Sequence, residues 1–301
     1  MIKRDRKNPR RHYHSKLRRR LGRVGVYLAA LAIVIILVSP ILHLLLSSFS
    51  PRTELSSIPP HWVPQNPTLD HYKALLFTKY TQILGGESPK FPIALRNNII
   101  VCLGASILAL LLGLPAAYGI SRFRFKGKNM LLIGIVSVRM VPFGSMIIPF
   151  YLIMSRFGLL DSKLGLILVY QSFILPFVIW IMSSYFSSIP VESEESAKID
   201  GANSFAIFTR IALPIALPGL ATTALMSFMA TWDELFYALI LTSSWNAKTM
   251  SVAITELSTR WTIDFSLWIT AGCIGMVVPF IIALLCQKYV ISGLTIGAVK
   301  G

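Results

Sequence analysis

Apolar residues in this chain run together in long blocks, without the alternation of a half-buried strand or the single stripe of a surface helix. Residues 24–51, between Arg23 and Arg52, include no Lys, Arg, Asp or Glu, and the same holds for residues 97–121, between Arg96 and Arg122. Each block exceeds the ~20 mainly apolar residues that a helix needs to cross the hydrocarbon layer. Four more follow: Met130 to Met154, apolar except for Arg139; Leu164 to Val191; Ile211 to Trp232, continuing past Asp233 and Glu234 to Leu241; and Phe265 to Gln287. The blocks predict spans over about 24–48, 97–121, 130–154, 164–186, 215–241 and 267–290. Strands of a membrane barrel would alternate over ~10 residues, and these blocks do not, so the predicted fold class is an all-α membrane protein with six transmembrane helices. Pro142, Pro149, Pro176, Pro218 and Pro279 predict kinks within the spans.

Composition agrees. Of 301 residues, 54% are hydrophobic and 14% charged, against about 25% charged in a soluble domain, and the mean hydropathy is +0.65. Disorder and a purely soluble fold are both excluded. Residues 1–23 hold 11 of the 29 Lys and Arg and one acid, Asp5; the remaining 18 bases and 12 acids leave +6 of the net +16 for the rest. A basic tail at 1–23 therefore precedes the membrane domain at 24–292, and a short tail at 293–301 follows it.

Lys and Arg concentrate on the cytoplasmic side of a membrane protein. The first tail and the group Arg122, Arg124, Lys126 and Lys128 fall on one side of the six spans, which predicts that both termini are cytoplasmic. The Pro-rich stretch 50–95 then faces outward. A retained first span is expected at the start in preference to a secretory signal, because the apolar run is too long and no small-residue cleavage pattern follows it. Anchoring to anionic lipid explains the tail more simply than nucleic-acid binding does. Cys102, Cys273 and Cys286 lie in apolar stretches without ligand spacing and read as small buried residues, as does His43 in the first span.

The fourth-to-fifth connection, 187–215, is cytoplasmic by this count yet carries Glu192, Glu194, Glu195 and Asp200 against Lys198 and Arg210. Pro190 suits a helix start, the three glutamates suit its positive end, and Gly201 suits a left-handed stop. Asn203 or Ser204 can cap a second helix bearing Phe205, Phe208, Ile211 and Leu213, which Pro214 interrupts. Two short helices with a sharp turn fit either a partner-binding surface or a loop lying on lipid headgroups.

The stretch Glu195-Ser196-Ala197-Lys198-Ile199-Asp200-Gly201-Ala202, with Phe208, Ile211, Leu213-Pro214 and Pro218 after it, resembles the EAA loop of ABC importer permeases. It departs only at Ser196, a small residue for a usual Ala. Asn97-Asn98, Leu159-Leu160-Asp161-Ser162, Thr231-Trp232-Asp233-Glu234 and the end from Gly293-Leu294-Thr295 to Gly301 resemble the MalG-type carbohydrate permeases, so the similarity extends over nearly all the chain after the tail.

That resemblance implies the type I ABC importer permease fold, located in the bacterial inner membrane. Glu195, Ala197, Asp200, Gly201, Ala202, Phe208, Leu213 and Pro214 would couple it to a cytoplasmic ATPase, Glu195 by pairing with a base and Phe208 and Leu213 as apolar anchors. The implied partners are a second permease subunit forming a heterodimer, two ATPase subunits, an extracytoplasmic solute-binding protein and a carbohydrate substrate. ATP and Mg would be bound by the ATPase and no cofactor by this chain. Gly127-Lys128 is the nearest fragment of a phosphate-binding loop, but Arg122 stands where glycine is required and Asn129 replaces Ser or Thr, so the chain is not itself an enzyme.

Polar groups inside the spans are costly and mark a path or an internal pair. Arg139, Tyr170, Gln171, Trp232, Asp233 and Glu234 are the path candidates, with an ion pair in the bundle or plain packing as the other reading. Arg139 makes an anionic sugar worth testing. An ion-driven secondary transporter is the competing function; it predicts inverted repeats and interrupted helices, and would leave the acidic loop unexplained. A membrane enzyme would need a nucleophile or metal constellation, and the spans show none.

Overall fold

The computed structural model describes residues 9–59, 61–77, 90–257 and 264–298, with side chains described between 22 and 288. Among these residues all regular structure is helical. Residues 1–8 of the basic tail, Arg260 and residues 299–301 lie outside them. The chain divides into two compact units, 1–69 and 70–301.

In the first unit, α1 (Pro9–Ser47) continues unbroken through Pro40. Its part Gly22–Ser47 is long and apolar enough to cross a membrane, and Val26, Leu28, Ile36 and Leu37 on it are exposed, as lipid-facing side chains must be. Behind it, the Glu54 carboxylate gathers the loop by accepting from the Gln65 amide at 3.0 Å and the Asn66 amide at 2.9 Å. His43, read as buried, is exposed instead, and its ring centroid lies 5.2 Å from that of Trp62.

The second unit contains α2 (Phe91–Arg122), α3 (Lys128–Ser137), α4 (Phe143–Arg156), α5 (Lys163–Ser188), α6 (Glu192–Ile199), α7 (Ser204–Ile207), α8 (Leu217–Trp232), α9 (Phe236–Leu241), α10 (Met250–Glu256) and α11 (Phe265–Ala298). α2 meets α5 through a stripe of small residues. Val101, Ala105, Ala109, Gly113 and Ala117 recur every fourth position, all buried. In lipid, close backbone approach of this kind replaces the hydrophobic effect as the force between helices. Larger side chains of α5, among them Tyr170, Ile174, Val178, Met182 and Phe186, complete that core. A second cluster joins Phe91 and Cys102 of α2 to Phe228 and Trp232 of α8, Met250 and Leu257 after it, and Leu267 of α11.

Four helices are continuous spans by length and composition: the α1 part, α2, α5 and Phe265–Lys288 of α11. Two more are bent pairs, 94° between Lys128–Met140 and Phe143–Arg156 and 79° between Ser204–Ile215 and Leu217–Trp232; counting each pair as one span makes six. The first bend is a proline effect. Val141, preceding Pro142, is pushed to the extended region at φ −70°, ψ 125°, and Pro142 itself caps α4. The second bend falls at Ala216, flanked by Pro214 and Pro218, neither of which has an N–H to give. Pro149, Pro176 and Pro279 sit inside helices that continue past them.

The helix read as continuous over 215–241 is divided. α8 stops at Trp232, and α9 begins at Phe236 once the Glu234 carboxylate has accepted from the amides of Tyr237 (2.9 Å) and Ala238 (3.2 Å). The carboxylate thus satisfies amides that a helix start leaves unpaired.

Candidate functional site

Between α5 and α8 the chain folds into a helical hairpin. The first turn of α6 carries Glu192, Glu194 and Glu195 at the positive end of its dipole. α6 ends at Gly201, whose φ of +84° is left-handed. The Gly201 amide donates to Lys198 at 3.1 Å and the Ala202 amide to Ala197 at 3.0 Å, the paired bonds of a glycine-terminated helix. Nothing crowds a Cβ at Gly201, so backbone conformation alone demands glycine there. Asn203 caps α7, its Oδ1 accepting from the Ala206 amide at 2.8 Å. A π-turn at Phe208–Ala212 then leads to the short helix Leu213–Ile215 and the bend before α8.

The eight residues read as coupling residues divide by facing. Glu195, Asp200, Gly201 and Pro214 are exposed, while Ala197 and Ala202 are half-buried. Phe208 and Leu213, read as anchors for a partner, instead pack inward on the main core. Phe208 turns in because Tyr118 of α2 and Phe186 of α5 offer it an aromatic seat, with ring centroids at 5.0 and 6.2 Å. The large apolar side chains left outside are Ile199, 88% exposed, and Phe205, 74% exposed.

Glu194 escaped the sequence reading, which singled out its neighbour Glu195. It is 1% exposed. Arg122 at the end of α2 reaches its Oε1 with Nε at 2.8 Å and Nη2 at 2.7 Å, and the Tyr118 hydroxyl donates to Oε2 at 2.9 Å. The Arg122 Nη2 also donates to the Ile189 carbonyl at 3.1 Å. Adjacent helical positions point about 100° apart, so of two neighbouring glutamates only one can face inward. The helical phase was readable from sequence; the face that meets α2 was not.

The path candidates do not form one site. Arg139 lies on the 3-10 turn Val138–Met140 at the first bend, exposed, with its guanidinium 4.9 Å from the Phe177 ring centroid. It lines a cavity of about 130 Å³ with Phe143, Phe150, Phe173, Ser172 and Tyr237. No carboxylate among the described residues pairs with it. Tyr170 is fully buried against Phe173, and the Gln171 amide donates to Ala105 at 3.1 Å and Ile167 at 2.9 Å, linking α5 to α2. Trp232 is 3% exposed and stacks on Phe228 with centroids 5.3 Å apart. Trp232 and the exposed Asp233 both border a different, largely apolar groove of about 630 Å³ with Pro279 and Gly275, and Glu234 is committed to the start of α9. Among the described residues no three His, Cys, Asp or Glu side chains converge as metal ligands.

At the end of the unit away from the hairpin's acids, Asp161 organises the loop after α9. It adopts φ +52°, its carboxylate accepts from the amides of Ser243 (3.0 Å) and Ser244 (2.9 Å) and from the Ser244 hydroxyl, and its own amide donates to Leu241 at 2.8 Å. Burial by itself pushes this carboxyl up, but the Ser244 hydroxyl and amide, the Ser243 amide and the charge of Lys248 outweigh it and hold Asp161 below the ordinary carboxylate value. Asn97 at the start of α2 ties down the same loop, donating to the Trp245 and Lys248 carbonyls at 3.0 and 3.1 Å. These bonds account for the Asn97 and Asp161 positions that the sequence marked without explaining.

Known proteins share both the sequence pattern and this fold. Residues 109–294 match the family described as binding-protein-dependent transport system inner membrane component. The diacetylchitobiose uptake system permease protein DasC of Streptomyces coelicolor is 30% identical over 93% of this chain and 98% of its own length. The trehalose/maltose transport system permease protein MalG of Thermococcus litoralis is 31% identical, again over 93% and 98%. Among solved structures, a chain of a bacterial ABC transporter involved in the import of the acidic polysaccharide alginate superposes with a TM-score of 0.71 at 26% identity, over 90% of this chain and 97% of that one.

Proposed function

Because this chain belongs to the binding-protein-dependent transport system inner membrane component family, we propose that it is the membrane-spanning permease half of an ATP-driven importer that carries a sugar or oligosaccharide into the cytoplasm by alternating access. The observation that carries the coupling is the α6–α7 hairpin. It is anchored on its inner face and presents Glu195, Ile199, Asp200 and Phe205 outward. Two exposed apolar side chains framed by acids form a surface suited to an apolar groove with a basic rim. We assign that groove to a cytoplasmic ATPase, which would bind ATP and Mg, and we place both termini and the hairpin on the cytoplasmic side of a bacterial inner membrane. A second permease subunit, two ATPase subunits and an extracytoplasmic binding protein complete the assembly; the loop held by Asp161 and Asn97 is the docking surface we assign to the binding protein.

The carbohydrate class rests on the relatives' substrates and on the Arg139 cavity. Its four aromatic rings offer the apolar faces of a sugar something to stack on, and the Ser172 and Tyr237 hydroxyls line the same wall. An unpaired guanidinium there would hold a carboxylate in bidentate fashion, which favours an acidic sugar, as does the likeness to the alginate importer. The cavity is smaller than the roughly 300–1,000 Å³ of a complete ligand site, consistent with a path whose other wall belongs to the second permease.

An ion-driven carrier would also use interrupted helices, as in the two bent pairs. It would have no use for the exposed hairpin, and its driving force would be a gradient. The two are separated by uptake into right-side-out membrane vesicles loaded with ATP and carrying the full assembly. Sugar uptake that needs hydrolysable ATP and survives collapse of the ion gradients supports the importer; uptake abolished by an ionophore with ATP present refutes it.

A further inference from the structure

The hairpin follows α5 through Ile189, Pro190 and Val191, a linker outside any helix. Ile189 is extended, at φ −79° and ψ 129°, and Pro190 prevents α5 from running on into α6. A hairpin hung on such a linker alone would swivel when pushed. Three contacts oppose this, and all end on one face of α2, because Tyr118 and Arg122 are four residues apart and so lie above one another.

Glu194 of α6 uses both carboxylate oxygens. Arg122 places Nε and Nη2 on Oε1 at 2.8 and 2.7 Å, and the Tyr118 hydroxyl takes Oε2 at 2.9 Å. Arg122 also grips the linker itself at the Ile189 carbonyl. The Tyr118 ring then receives the hairpin's returning arm, with Phe208 at 5.0 Å and Phe186 of α5 at 5.6 Å. Both arms of the hairpin and its linker therefore meet at one turn of α2. The Glu194 end of this ion pair is buried and the Arg122 side chain is 10% exposed, so removing Arg122 would strand the Glu194 charge away from water.

The geometry points to Glu194, Arg122 and Tyr118 as positioning residues that lock the hairpin to the inner end of α2, so that a push on α6 turns the tightly packed α2–α5 block instead of being absorbed at Ile189–Val191. This rests on the reading of the hairpin as the ATPase's handle. Glu195 touches the partner; Glu194, one residue away, carries its stroke into the membrane.

The test uses the assembled importer in lipid nanodiscs, with its ATPase and binding protein. Spin labels are placed at positions 193 and 124, both exposed, on the hairpin and just past α2. Unmodified at the lock, this pair keeps one distance with and without ATP–vanadate, and the Glu194→Gln complex shows a broadened distribution that shifts with nucleotide. In the same complexes the ratio of binding-protein-stimulated to basal ATP hydrolysis falls at least ~10-fold in Glu194→Gln, and less in Arg122→Lys, which restores the charge but not the two-pronged donor. A merely structural contact would lower complex yield without moving the distance or the ratio. A distance that already changes with nucleotide in the unmodified complex, or an unchanged distance and ratio in Glu194→Gln, overturns the proposal. Should Glu194→Gln fail to assemble, Tyr118→Phe keeps the ring packing and removes one hydrogen bond; a broadened distance there supports the lock, and an unaltered one overturns it. A chain that retains no ATPase even without substitution refutes the importer reading itself, and the lock with it.

Discussion

A Cβ on Gly113 would stand 2.6 Å from Cγ1 and 3.1 Å from Cβ of Val178. Both atoms are at the stiff root of a β-branched side chain, which cannot swing aside. The glycine thus sets how closely α2 and α5 approach, at the fourth position of the stripe that runs from Val101 to Ala117. Gly113→Leu is expected to cost about 1–3 kcal/mol through overpacking and to lower the unfolding temperature in mild detergent. The double variant Gly113→Ala with Val178→Ala should recover part of that loss; identical melting of Gly113→Leu and the parent chain would contradict the packing account.

Asp161 gives a pH prediction with a definite sign. Its carboxyl is held below the ordinary value, so its stabilisation of the 242–249 loop is complete above the ordinary carboxylate range, near pH 4, and is lost as pH falls through the lowered value. At neutral pH Asp161→Asn should mimic that acid loss, weakening the loop by about 1 kcal/mol after allowance for solvent screening. Cysteine accessibility at Asn246, measured from pH 7 downward, reports it. A loop that opens on raising the pH instead would reverse the assignment.

Gly201→Ala forces a side chain into a left-handed conformation at a cost of roughly 1–2 kcal/mol, while Gly201→Asn is milder because asparagine tolerates that region. The order of retained ATPase in co-purification should be Gly, then Asn, then Ala. Equal retention of all three would show that the turn geometry does not matter to the partner.

Arg139→Gln removes the guanidinium facing the aromatic cavity while leaving the rings in place. Loss of charge-assisted hydrogen bonds worth about 1.5–3 kcal/mol predicts a ~10–100-fold rise in the half-saturating concentration for a uronate-containing oligosaccharide, with much smaller change for a neutral one. Equal effects on both would remove the acidic-sugar reading and leave the importer standing.

Trp232 separates packing from sugar stacking. Buried on Phe228, it should behave as a core residue, and Trp232→Ala should cost about 3–5 kcal/mol of stability. Trp232→Phe should keep most of the transport, with unchanged apparent affinity. A large affinity loss in Trp232→Phe at normal stability would place the ring in the path after all.

Much of the molecule follows from short-range rules. Apolar runs longer than a bilayer is thick must be helices, because lipid offers backbone groups no other partner; they reappear as four continuous helices and two bent pairs. The stop at Gly201 and the cap at Asn203 depend on nothing beyond a few neighbouring residues, so both were legible in the chain. Other features required the neighbours that folding brings. Proline marked five places for a span to turn, but only around Pro142 and Ala216 does the chain break sharply; at Pro149, Pro176 and Pro279 the helix runs on. The inward turn of Phe208 depends on aromatic rings from α2 and α5, and the seating of Trp232 and of Glu234 depends on Phe228 and on the amides of α9. Glu194 and Glu195 are chemically identical neighbours, and what distinguishes them is Arg122, 72 positions earlier in the chain. Local sequence determines which backbone conformations are affordable, whereas the facing of a side chain is decided by what stands opposite it, and that is known only once the helices have packed.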